Sequence, residues 1–180
     1  MKITIICVGK IKEDFYRKAV SEYEKRLSRY CRLEMIEVQD EKTPDNAGAA
    51  LEEQIKEKEG ARILKHLKED AYLYTLEIQG EKPDSIAFAK QIEQLGIQGK
   101  SHIQFVIGGS LGLHSSISRI ADKKVSFSAM TFPHQLMRVI LLEQIRTVDK
   151  QRLREFVCHV DSRLMHKVNE AIRISLELDT

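Results

Sequence analysis

The stretch Phe105–Ser116, FVIGGSLGLHSS, runs a short apolar strand into three glycines and then into a helix start. A glycine-rich turn between a strand and a helix often cradles phosphate. Two templates do so: G-x-G-x-x-G after the first strand of a dinucleotide fold, and G-x-x-x-x-G-K-[ST] of a P-loop. Gly108, Gly109 and Gly112 satisfy neither, and the strand before them is the fourth of the chain. A tight turn that holds nothing is the competing account, because a glycine turn alone is a weak motif.

Outward from that turn, strand and helix patterns alternate. KITIICVG is a β-branched run closed by Gly9, and EDFYRKAVSEYEKRLSRYC spaces Phe15, Ala19, Tyr23, Leu27 and Tyr30 as a helix would. RLEMIEV is a second strand. A polar lead-in, TPDNAGAA, then precedes a helical stripe of Leu51, Ile55, Ile63, Leu64 and Leu67. AYLYTLEI is a third strand, and QGEKPDS a turn whose Pro83 and Asp84 start the helix SIAFAKQIEQL. HIQFVIGG is the fourth strand and SSISRIAD a short helix that Ser115 or Ser116 can cap. KVSFSAM is a fifth strand with alternating Val125 and Phe127, and PHQLMRVILLEQI a strongly apolar helix. Such alternation with near-continuous apolar strands predicts an α/β protein: a mainly parallel sheet with helices on both faces.

Composition narrows the class. The chain has 180 residues, 42% of them hydrophobic and 31% charged, which fits one globular domain with a full core. A formal net charge of +2 neither demands nor excludes a nucleic-acid partner. The three cysteines, Cys7, Cys31 and Cys158, are odd in number and lack CxxC spacing. They argue against a disulfide framework or structural zinc and for a reducing, cytoplasmic setting. The opening MKITIICVGK has no cleavage signature, and nowhere do about 18 apolar residues run together, so neither export nor membrane insertion is expected. His159 and His166 lie two turns apart without a third good ligand, and no metal site is expected.

Ligands of parallel sheets bind at the carboxyl ends of strands. Three loops there, TLEIQG, GGSLG and the run Ser126–Gln135 (SFSAMTFPHQ), can form one pocket in which exposed main chain grips a flat heterocycle. His134, at a helix start, is read as a polar contact in preference to a proton acceptor. Arg138, one turn on, is expected to face phosphate or a second subunit. Lys10, Lys12, Arg17, Lys25, Arg26 and Arg29 are read as a solvated basic face in preference to an RNA surface.

MKITIICVGKIK, FVIGGSLGL and SFSAMTFPHQLMRVILLEQI, in that order and spacing, resemble the RlmH methyltransferases of the SPOUT superfamily over about residues 1–145. The resemblance implies a trefoil-knotted fold, a homodimer and S-adenosylmethionine as methyl donor. It also implies N3-methylation of a pseudouridine in 23S rRNA of the assembled ribosome. The family's cofactor contacts fall on Leu76, Gly108, Phe127, Ser128, Ala129, Met130, Thr131 and Phe132. The family's C-terminal tail, with a Tyr-Arg-Ala segment and a terminal Pro-Tyr-His, is replaced here by RTVDKQRLREFVCHVDSRLMHKVNEAIRISLELDT, so catalytic residues are left unassigned.

From about residue 139 to 180 the chain resembles the C-terminus of MazF/PemK-type endoribonuclease toxins, as a chimera joined near Val139–Ile145 would. Residues 1–145 are thus expected to form the knotted cofactor-binding domain and 146–180 a non-family extension. The extension is expected to begin with a poorly packed connector and to end in an amphipathic helix carrying Leu164, Val168, Ile172 and Leu176, with Asp161 as N-cap. The alternative to an active methyltransferase is a catalytically silent cofactor-binding fusion whose last helix mediates protein contacts.

Overall fold

The computed structural model describes residues 1–152, with side chains described as far as Val148. The expected C-terminal helix, Cys158, His159 and His166 lie outside the described residues. Five strands, β1 (Lys2–Val8), β2 (Arg32–Val38), β3 (Tyr72–Glu81), β4 (His102–Ile107) and β5 (Lys123–Val125), form one sheet in the order β2-β1-β4-β3-β5. Every pairing is parallel, as the sequence pattern predicts. Between and after them run α1 (Asp14–Leu27), α2 (Ala49–Leu64), α3 (Ser85–Ile97), α4 (Ser115–Ile120) and α5 (His134–Arg152).

Alternation along the strands feeds two apolar layers. Ile3, Ile5 and Cys7 of β1, Tyr74 of β3, and Ile103, Phe105 and Ile107 of β4 pack under α1, α3 and α5. Ile6, Val8, Leu73 and Val106 point the other way, toward Ile63 of α2 and Ile117 of α4. The central strands β1 and β4 are buried on both faces, which explains their unbroken apolar runs. Asp84 caps α3 as expected, its Oδ1 accepting from the Ala87 amide at 2.7 Å.

Four expectations need correction. The fifth strand ends at Val125, where its pairing with β3 breaks register at a bulge: Leu76 and Glu81 both register with Val125, and between them Gly80 comes so close that a Cβ there would stand 2.7 Å from Val125 backbone atoms. Its Phe127 continues no alternation and packs edge-on against Phe88, ring centroids 5.4 Å apart. On α1 the inward face is Val20 and Leu27, while Phe15 and Tyr30 are exposed. On α2, Ile55 and Ile63 are buried, but Leu51 and Leu64 are exposed.

The last correction concerns α5, which does not stop at Ile145 but runs on to Arg152. Its buried stripe is Arg138, Leu141, Leu142, Ile145 and Val148, so the first turn of the expected loose connector is packed core. Arg146 reinforces that turn by donating to both carboxylate oxygens of Glu143, at 2.8 and 2.7 Å.

Candidate functional site at the carboxyl edge of the sheet

Parallel pairing places the carboxyl ends of β4, β3 and β5 side by side. Leu76 registers with Ile107 on one flank and with Val125 on the other. Gly108 directly follows Ile107, and the run Phe127–Phe132 begins two residues after Val125. The three loops singled out in the sequence therefore open from adjacent strand ends.

Each loop is shaped by its own residues. In GGSLG the Gly112 amide donates to the Gly109 carbonyl at 3.2 Å, and Gly112 itself has φ +82°, a conformation that favours glycine. Gly108 is buried against that turn, and a Cβ there would stand 2.8 Å from the Gly112 carbonyl carbon. The turn is thus folded onto its own first glycine. Beyond β5, the Ser126 amide pairs with the Glu81 carbonyl at 2.7 Å, and the Ser126 hydroxyl donates to Ser128 O at 2.7 Å. The Ser128 hydroxyl in turn accepts from the Met130 amide at 2.9 Å.

Phe127 roots this loop in the core; Ala129, Met130 and Thr131 are exposed, and Phe132 is half-buried. Main-chain donors and acceptors beside apolar Leu76 and the two phenylalanines suit an uncharged nucleoside better than a phosphate. In the bulge of β3, Glu77 accepts from Thr75 Oγ1 at 2.6 Å and from Ser118 Oγ at 2.7 and 2.9 Å, tying this loop to α4.

The neighbouring strand β1 brings a further set of groups that sequence reasoning placed elsewhere. Arg138 was expected to face phosphate or a partner, yet it is fully buried. Its Nη2 donates to Gly9 O at 2.6 Å and Val8 O at 3.2 Å, and its Nη1 to Glu37 at 2.5 Å. A buried charge must be paired, and the main-chain carbonyls at the end of β1 supply what Glu37 does not. The signal was its spacing, four residues before Leu142 and three before Leu141, on the buried stripe of α5.

Glu59 was missed as well. It is buried between Ile55 and Ile63 at four-residue spacing, accepts from the Glu41 amide at 3.0 Å, and lies 3.1 Å from where a Cβ of Gly109 would be. Burial raises its pKa, with Asp40 and Glu41 adding to the effect and the Glu41 amide and Arg62 opposing it. The cap of α4 is neither Ser115 nor Ser116 but His114, whose Nδ1 accepts from the Ser116 amide. His134 is half-buried beside Gly9.

Two features lie away from this edge. A wide, shallow concavity of about 790 Å³ opens at the opposite, amino edge of the sheet, lined by Met1, Ser28, Tyr30, Cys31 and Arg32 among others. A strand's length, about 20 Å, separates it from the loops just described. Among the described residues, no group of three or more His, Cys, Asp or Glu side chains could hold a metal, and no helix is long and apolar enough to cross a membrane.

Comparison with known proteins agrees with this geometry. A family model described as "Predicted SPOUT methyltransferase" matches residues 1–148. The chain is 59% identical over 145 residues to ribosomal RNA large subunit methyltransferase H of Bifidobacterium adolescentis, covering 81% of this chain and 91% of that protein. It is 58% identical to the protein of the same name from Clostridium kluyveri, with the same coverage.

Two solved structures share the fold at low identity. A probable methylase family protein from Haemophilus influenzae Rd KW20 has TM-score 0.51 at 11% identity, covering 97% of this chain and 80% of that one. A probable methyltransferase from Bordetella pertussis Tohama I has TM-score 0.52 at 13% identity, covering 81% and 95%. The parallel sheet, the loops at its carboxyl edge and the match over residues 1–148 together make this chain a member of the SPOUT methyltransferase family, of the RlmH type.

Proposed function

We propose that this chain methylates large-subunit ribosomal RNA with S-adenosylmethionine as donor, at N3 of a pseudouridine in 23S rRNA of the assembled ribosome. The observation that carries this is the convergence of Leu76, Gly108 and Phe127–Phe132 at adjacent strand ends, in a chain 59% identical to a protein named as a large-subunit ribosomal RNA methyltransferase. When bound, the cofactor supplies a methyl group already activated on a sulfonium. What the protein must add is placement of the base nitrogen in line with that methyl, and removal of the nitrogen's proton.

In this proposal Leu76, Gly108, Phe127, Ser128, Ala129, Met130, Thr131 and Phe132 hold the nucleoside and the methionine portion. Main-chain groups of 129–131 fix its polar atoms, and Leu76 with Phe132 covers its apolar faces. The serine staples at Ser126 and Ser128 keep the loop from having to order itself on binding.

The active form in this proposal is a cytoplasmic homodimer with a trefoil knot formed by the segment through α5. Leu136 and Ile140, one turn apart on α5 and half-buried, belong to neither apolar cluster and offer a surface to a second copy. Sedimentation should report a dimer for the wild type and a monomer for Leu136→Asp with Ile140→Asp. Residues 1–145 are proposed as the cofactor-binding unit and 146–180, of MazF/PemK-like ancestry, as an appended segment.

The deciding experiment is transfer of labelled methyl from S-adenosylmethionine to ribosomes that lack the modification, with the product located by mass spectrometry. Transfer to that pseudouridine supports the reading. Cofactor binding by calorimetry without any transfer supports the silent fusion instead, and absence of both removes either reading.

A further inference from the structure

The start of α5 is locked against the end of β1, the strand next to β4, and the lock places an imidazole on the same carboxyl edge of the sheet from which the three loops open. Cys7 registers with Ile107, so Val8 and Gly9 run beside Gly108 and Gly109; Val8 Cγ1 lies 3.1 Å from where a Gly109 Cβ would be. Gly9 has φ +80°, and His134 Nε2 lies 3.2 Å from the position a Cβ there would take. The positive φ favours glycine here, and a side chain in its place would also press on the ring. His134 also follows Phe132 with a single proline between, so one short segment carries both the loop and the ring.

Arg138, one helical turn on, holds the other side of the same backbone through Gly9 O and Val8 O, and reaches Glu37, whose Oε1 also accepts from the Ile11 amide at 3.0 Å. Gln135 completes the lock by accepting from the Lys12 amide at 2.8 Å.

From this arrangement we infer that His134 is the proton acceptor for the reacting base nitrogen, with Arg138 as the residue that positions it. The inference rests on the methyltransferase reading above. An acceptor must be neutral before the step, and the surroundings favour that: burial lowers the pKa of His134, and Arg138 and then Lys12 add to the lowering. Asp40, after β2, opposes them. The amino end of α5 also disfavours a cationic ring.

In the step, the proton on N3 passes to the imidazole, and the electron pair left on that nitrogen forms the new bond to the methyl carbon. The sulfur–methyl bond breaks with its pair remaining on sulfur, so the sulfonium becomes a neutral thioether. The imidazolium then returns its proton to solvent.

The test uses the full chain and ribosomes lacking the modification. In the wild type, kcat should fall on the acid side as His134 becomes protonated, and NMR titration of its ring should give a pKa below the ordinary ~6.5. His134→Gln should lose kcat by about 10²–10⁴-fold, lose the acid limb, and bind S-adenosylhomocysteine in calorimetry within about twofold of wild type, a margin worth only ~0.4 kcal/mol.

Arg138→Met should move the His134 titration upward, and Arg138→Lys, which keeps the charge, should leave it in place. Should Arg138→Met fail to fold, Glu37→Gln serves: it removes a negative charge beside the guanidinium and should move the titration downward. The proposal is overturned if His134→Gln keeps kcat within a few-fold, keeps the acid limb, or loses cofactor binding as much as turnover. It is overturned as regards Arg138 if Arg138→Met, or Glu37→Gln in its place, leaves the titration unmoved. A wild type that transfers no methyl defeats the methyltransferase reading and the proposal with it, whereas an active wild type matched by His134→Gln defeats only the proposal.

Discussion

At the scale of single residues, two kinds of position decide what this edge of the sheet can do. Gly108 is the first kind, where space is already taken: a Cβ would meet Gly112 backbone atoms at 2.8 and 2.9 Å, and backbone cannot swing aside as a side-chain tip can. Gly108→Ala should therefore cost about 1–3 kcal/mol of stability and displace the turn. Calorimetry should show S-adenosylmethionine affinity falling at least about tenfold, the effect of ~1.4 kcal/mol lost at the site. Wild-type affinity in this variant would mean that Gly108 is not part of the cofactor wall.

The half-buried imidazole of His134 is the second kind. Burial lowers its pKa, as it does that of His102 at the opposite, amino end of β4, where Lys2 adds to the effect. A histidine that resists protonation only when folded makes the unfolded chain bind more protons as the pH drops. Its contribution is thus fully present above the unfolded value of about 6.5 and is lost as pH falls through the lower folded value. Thermal midpoints should decline between pH 7 and pH 5, and His134→Gln should flatten the part of that decline that its ring causes. Parallel declines in the two proteins would show that His134 titrates alike in both states.

Elements show where local pattern was enough and where it was not. The strands β1 and β4 were legible because apolar runs ended by Gly9 or Gly108 leave little choice, and Asp84 marked α3 by its capping chemistry. The end of β5 was not legible, since Val125 and Phe127 alternate as a strand does. What stops the strand is the bulge in its partner, and one segment carries no record of its neighbour's register. The three loops were found from glycine, serine and proline content, yet the roles of Gly108 and Gly112 differ in ways that only the folded turn reveals.

Arg138 was misplaced for a related reason: charge alone suggests the surface, and its pairing with Val8 O and Gly9 O depends on contacts 129 and 130 residues away in sequence. The α5 boundary was misjudged because the end of the family resemblance near Ile145 was taken as a change in structure, whereas Val148 continues the buried stripe. Val148→Asp should accordingly cost about 3 kcal/mol or more by placing an unpaired charge in the core, read as a lower midpoint in urea. A loss below 0.5 kcal/mol would restore the view that packing ends at Ile145.

For the molecule as a whole, the balance of 29 Lys and Arg against 27 Asp and Glu gives no field strong enough to gather RNA from a distance. Recognition has to come from local placement, and the topology supplies it. Because α1 follows β1, it begins at the same carboxyl edge as the three loops, and Lys10 and Lys12 are exposed around its start. Phe15 stands there 62% exposed, its ring 4.2 Å from that of Tyr16. An exposed phenylalanine backed by a half-buried tyrosine, beside lysines, suits unpaired nucleotides, which stack on rings for about 1–3 kcal/mol per base. Under the ribosomal reading, Phe15→Ala should raise KM for unmodified ribosomes by about 5- to 100-fold, with kcat and cofactor affinity held, since the ring lies outside the reacting groups. Steady-state kinetics with ribosome concentration varied would measure this directly. An unchanged KM accompanied by a loss of dimer in sedimentation would instead assign the ring to contact between two copies of the chain.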